Sequence, residues 1–136
     1  MNLPGQPPIP NRAFTLLEMT IVILVLLSLV GTCVFSARKI GEWQQAREAG
    51  EVLRTVHTAQ RMFLADNPTT LVANITAANI IPYLPNNATA MPTVKSLTGA
   101  TLPIIVNQSP PVINAGSGVT YDPSGSNNDS LWDVGK

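Results

Sequence analysis

The sequence predicts an α+β chain. One long amino-terminal helix, membrane-spanning in its first half and amphipathic in its second, packs on a small carboxy-terminal antiparallel sheet. Three observations carry this expectation. No proline falls among the 53 residues 14–66, so one continuous helix can form there. Residues 19–37 are 19 consecutive positions without a formal charge, enough apolar length for a bilayer's hydrocarbon core. Beyond Asn67-Pro68 the chain changes to short apolar runs separated by Gly, Pro, Asn and Ser.

Four segments follow in order. Residues 1–13 carry four prolines and one glycine, and read as a short extended leader. Residues 14–37 are apolar all round and want lipid or other helices on every side. Residues 38–66 are amphipathic: Ala49, Val52, Leu53, Val56, Ala59 and Phe63 recur at three- and four-residue steps. Gly41 and Gly50 are places where this helix could bend, and Asn67-Pro68 supplies its stop. Residues 67–136 form a small head. Residues 74–81 predict a short capped helix ending before Pro82, and residues 85–87 a turn. The runs 102–106, 112–113 and 119–121 fit two to four short antiparallel strands. Trp132 is expected to pack the last polar loop onto the head. So small a head needs the helix stripe to complete its core.

Composition excludes several function classes. Eight basic and eight acidic side chains give zero formal charge, so no basic nucleic-acid surface is indicated. Residues 38–66 hold nine charged side chains and residues 67–136 only five, a distribution suited to a head outside the cytoplasm or packed against its own copies. Cys33 is the single cysteine, so no intrachain disulfide can form. His57 is the single histidine and has no ligand-spaced partners. Paired catalytic carboxylates, a Ser/His/Asp set and a Gly-rich phosphate loop are all missing, and the chain does not read as an enzyme.

The apolar run admits three readings: a cleaved secretory signal, a lipoprotein signal ending in Val30-Gly31-Thr32-Cys33, or an uncleaved anchor processed at its front edge. The run is long for a signal core, and both signal readings leave Glu18 without a role. An intramembrane acid is costly unless something satisfies it. Glu18 either snorkels to the interface or meets an opposite charge.

Residues 13–22, Ala-Phe-Thr-Leu-Leu-Glu-Met-Thr-Ile-Val, strongly resemble the processing and methylation motif of type IV pilins and type II secretion pseudopilins. The resemblance implies cleavage between Ala13 and Phe14 by a prepilin peptidase, with methylation of the new Phe14 amine. The residue before cleavage is alanine here, where the family usually has glycine. The resemblance further implies a chain held in the bacterial inner membrane, leader in the cytoplasm and head in the periplasm. It would then polymerise with copies of itself and other pilins or pseudopilins through an assembly platform and motor.

In such a filament Glu18 would pair with a neighbour's Phe14 amine. Leu16, Leu17, Ile21, Leu24, Val25 and Val30 would face lipid before assembly and sister helices after it. Ser28, Gly31 and Thr32 either permit close helix approach or are passengers. Major pseudopilins use a calcium-bound carboxy-terminal loop, and Asp122, Asp129 and Asp133 offer oxygen ligands of that kind, though Asp, Asn and Ser clusters are also ordinary turn chemistry. Pilus, secretion pseudopilus and DNA-uptake roles stay open. So does a different class, a single-pass anchored binding protein that does not polymerise.

Overall fold

The structure, a computed structural model, describes residues 14–135. The expected leader, including Ala13, lies outside the described residues. Helix α1 (Leu16–Asp66) is followed by a 3₁₀ turn at Val72–Asn74 and by α2 (Ala77–Ile80). Further 3₁₀ turns at Ile81–Tyr83 and Pro85–Asn87 lead into four short strands. These are β1 (Val94–Lys95), β2 (Thr101–Leu102), β3 (Ile104–Ile105) and β4 (Val112–Ile113). The chain divides into two compact units, Met1–Arg38 and Lys39–Lys136.

In the first unit every described side chain is exposed, and the helix is long and apolar enough to cross a membrane. Leu16, Leu24 and Phe35 are 84%, 69% and 66% exposed, a surface that water does not favour. Three of its hydroxyls are satisfied within the helix. Thr20, Ser28 and Thr32 donate to the carbonyls of Leu17, Val25 and Leu29 at 2.8, 2.7 and 2.8 Å. Hydroxyls bonded within their own helix can enter hydrocarbon without stranding a polar group.

In the second unit the helix buries a stripe formed by Ala46, Ala49, Gly50, Leu53, Val56, Ala59 and Gln60. The expected stripe is there, with Val52 and Phe63 partly buried at its margin. Two core clusters form along it. Ala46, Ala49 and Leu53 pack with Val94, Ile113 and Trp132. Val56 and Ala59 pack with Ile75, Ile80, Leu84 and Val106. Ile104 touches both clusters and joins them. The helix is thus packed on a small antiparallel β structure, and the chain is α+β.

The helix stop falls where Pro68 requires it. The Asn67 side-chain amide donates to the Phe63 carbonyl at 3.0 Å, and the Asn67 backbone N–H reaches the same oxygen at 2.9 Å. The helix expected over residues 74–81 is shorter than the sequence suggests. Thr76 caps it by donating from its backbone N–H and its hydroxyl to Asn79 Oδ1, at 3.0 and 2.6 Å. Pro82 sits inside the following 3₁₀ turn, where its missing N–H is tolerated. Asn86 and Asn87 take left-handed φ of 62° and 49°, a conformation asparagine adopts more readily than most residues.

The strands also differ from expectation. Residues 102–106 do not form one strand, because Pro103 has no N–H to donate and separates β2 from β3. Two sheets result. β1 pairs antiparallel with β2, Val94 opposite Leu102, and β3 pairs antiparallel with β4, Ile104 opposite Ile113. Residues 119–121 supply only a bridge, Thr120 to Asn114. The bends expected at Gly41 and Gly50 are not breaks, since α1 is one helix through both. Gly50 serves packing instead. A Cβ there would overlap the Ser130 carbonyl oxygen and lie 3.1 Å from that of Asp133.

The carboxy-terminal loop lies against that glycine. Trp132 is 3% exposed, donates its backbone N–H to the Ala46 carbonyl at 3.1 Å, and meets Tyr121 edge to face at 5.2 Å. Arg54 adds a bond from Nε to the Val134 carbonyl at 3.0 Å and another from its guanidinium to the Ser130 hydroxyl at 2.6 Å.

Candidate functional site

The candidate site at the front of α1 is built by residues 14–19. The backbone N–H groups that begin a helix lack intrahelical acceptors, and Thr15 supplies one. Its hydroxyl oxygen accepts from the Glu18 N–H at 3.2 Å, while its carbonyl accepts from Glu18 and Met19 at 3.1 and 3.2 Å. Thr15-x-x-Glu18 has the spacing of a capping box. The three-residue spacing of Thr15 and Glu18 is a signal for such a cap, but which half of the box forms is set by the structure. Only the threonine half of the box is made, and the Glu18 carboxylate has no partner among the described residues.

Glu18 lies in the first helical turn, where the helix dipole favours a negative charge. Both Glu18 and Phe14 are exposed, Phe14 by 70%. An acid at this place can accept a cation from outside its own helix without first breaking an internal pair. Ala13, the other half of the expected cleavage point, lies outside the described residues.

The carboxy-terminal acids are arranged differently. Asp122 Oδ1 accepts from the Ser124 N–H and hydroxyl at 3.1 and 2.7 Å. Asp129 Oδ1 accepts from the Leu131 N–H at 2.9 Å and from the same serine hydroxyl at 3.4 Å. Asp133 Oδ1 accepts from the Gly135 N–H at 2.9 Å. Each carboxylate therefore closes a local turn. Burial, with the nearby charges of Asp122 and Asp129, holds the Asp133 carboxyl above the usual carboxylate range, against the Gly135 hydrogen bond. Among the described residues no three His, Cys, Asp or Glu side chains are grouped so as to hold a metal ion. This acid set does not by itself fit a calcium cage, which needs six or more oxygens around one point.

His57 is partly buried and sits below the ordinary imidazole range through that burial and the nearby Arg61 charge. Cys33 is a free, exposed thiol. One open cleft of about 610 Å³ on the head is lined by Pro110, Pro111, Val112, Trp132 and Asp133 among others. Another, of about 440 Å³, is lined by Trp43, Arg47, Glu51, Arg54 and residues 129–131.

The buried Gln60 is a polar residue that the apolar periodicity does not reveal. Its amide donates to the Val106 and Gln108 carbonyls, both at 2.8 Å, tying the β3 end to the helix. Its position one step beyond Ala59 on the stripe is the only signal the sequence offers. No protein-family model matches this chain, and no curated protein or solved structure shows a significant similarity to it.

Proposed function

We propose that this chain is a filament subunit, a pilin or pseudopilin. It is cleaved between Ala13 and Phe14, methylated on Phe14, stored in the bacterial inner membrane with its head in the periplasm, and polymerised through its apolar helix. The observation that carries the reading is the exposed Glu18, unpartnered among the described residues, in the first turn of a helical segment otherwise uncharged through Ala37. The sequence resemblance of residues 13–22 supplies the family.

The physics of assembly follows from those residues. In lipid, Glu18 lies near the interface, where it reaches water. In a helical bundle, a neighbour displaced along the filament brings its Phe14 amine to that carboxylate. The two charges neutralise in a low-dielectric core and set the axial register of the incoming subunit. Removing one partner leaves an uncompensated buried charge at a cost of ~3–5 kcal/mol. The apolar surface exchanges lipid for sister helices, two environments of similar character. Extraction from the bilayer therefore needs only modest work from the assembly motor that the family uses.

Mass spectrometry of the chain isolated from its cells tests the processing step. The expected amino terminus is N-methyl-phenylalanine at Phe14. An intact Met1 would rule out processing and favour the anchored, non-polymerising reading.

A further inference from the structure

Two open clefts flank α1 within the second unit. One, of about 450 Å³, lies between the helix and the β1–β2 pair, with Gln45, Glu48, Lys95 and Thr101 on its walls. The other, of about 440 Å³, lies between the helix and the carboxy-terminal loop, with Trp43, Arg47, Glu51 and Asp129 on its walls. Both carry exposed charges that the chain itself leaves unanswered. Among the described residues the only ion pair is Lys39 with Glu42, so Glu48, Glu51, Lys95 and Asp129, all exposed, have no partner of opposite charge. Of the cations in the second cleft, Arg54 is tied to the Ser130 hydroxyl and the Val134 carbonyl, and Arg47 lies over the Trp43 ring, 4.9 Å from its centroid. Each cleft also borders an exposed apolar side chain. Trp43 is 50% exposed in the second. Beside the first, the Gln45 amide donates to the Lys95 and Ser96 carbonyls at 3.1 and 2.9 Å and pins the strand end to the helix. Ser96 is buried, which leaves Lys95 and the 42% exposed Leu97 as a projecting pair.

We infer that these clefts are the two halves of one contact between successive copies of the chain. The edge at residues 95–97 of one head meets the Trp43 cleft of the next, with Leu97 against the indole and the Lys95 ammonium facing Glu51 and Asp129. The inference rests on the filament reading, which supplies the second copy, and it uses surfaces of the second unit alone. A second copy is favoured over an unrelated partner because each cleft holds what the other lacks. Lys95 answers the two acids, Glu48 answers Arg47, and the two exposed apolar groups cover each other. Exposed ion pairs contribute little singly, so the apolar contact supplies the buried area and the charges select the surface. The two surfaces are unlike, so the contact is heterologous. Copies joined in this way add one after another instead of closing as a twofold pair.

Charge reversal of the full chain in its own cells tests the contact, because like charges placed opposite each other cost more than a lost pair. Sheared filaments and the chain in the membrane fraction are measured together. Lys95→Glu and Glu51→Lys should each lower the filament yield about tenfold while the membrane-held chain is unchanged, and the two combined should restore roughly the wild-type yield. Single reversals that assemble like the wild type, or a combined variant no better than the singles, would overturn the contact and leave the filament reading standing. Wild-type cells without filaments would overturn the filament reading and the contact with it.

Discussion

Replacing Gly50 by alanine asks how tightly the carboxy-terminal loop is pressed onto the helix. A methyl group there overlaps the Ser130 carbonyl and crowds that of Asp133 at 3.1 Å, both backbone atoms. The loop cannot swing away freely, since the Trp132 N–H to Ala46 bond, the buried indole and two Arg54 bonds hold it. Overpacking of this kind costs ~1–3 kcal/mol. Alanine returns ~0.5–1 kcal/mol through its better helix propensity. The net expectation is a loss of up to about 2.5 kcal/mol, and each kcal/mol lowers the melting temperature of a domain this size by ~4–8 °C. Near-ultraviolet circular dichroism of the full chain in detergent micelles follows the head's tertiary melt. Gly41→Ala is the matched control, because nothing lies within 4 Å of its Cβ position. It should raise the melting temperature slightly. A Gly50→Ala protein that melts at or above the Gly41→Ala protein would refute the close approach.

Gln60→Met should cost ~1–3 kcal/mol, because it removes both amide bonds and strands the carbonyl of the buried Val106. Denaturant unfolding measures it, and an unchanged midpoint would remove Gln60 from the account. Asp133→Asn tests the carboxy-terminal loop. The raised folded pKa means the native chain holds this proton more tightly than the unfolded chain does. The group's favourable contribution is therefore complete below about pH 4 and is lost as pH rises through the folded value. The asparagine variant, whose amide oxygen can still accept from Gly135, should be the more stable protein at pH 7, with the advantage vanishing in acid. A variant less stable only in calcium-containing buffer would instead identify Asp133 as a cation ligand.

The helix and its stripe were legible because they rest on periodicity and on the absence of proline, both local properties of the chain. The stop at Asn67-Pro68 was legible for the same reason. β1 was not, because Val94 is one apolar residue among Thr93, Lys95 and Ser96, and pairs only after the turn through Gly99, whose φ is +84°. The burial of Gln60 and the packing of Gly50 depend on partners 46 to 83 positions away, which no local pattern encodes. At the candidate site, the acid in its apolar run was evident from residue types alone, whereas the half-made cap on Thr15 needed coordinates. Trp43 reads in sequence only as a residue near the join of two helical segments. Its exposure beside Arg47 appears once the neighbouring turns have faced the core.

The central claim is that Glu18 docks one subunit to the next. The most direct measurement compares filaments sheared from cells producing the wild-type chain with those from Glu18→Ala cells, alongside the amount of each chain in the membrane fraction. The account predicts that filaments are lost while the membrane-held chain remains. Filaments in undiminished amount from Glu18→Ala cells would contradict it.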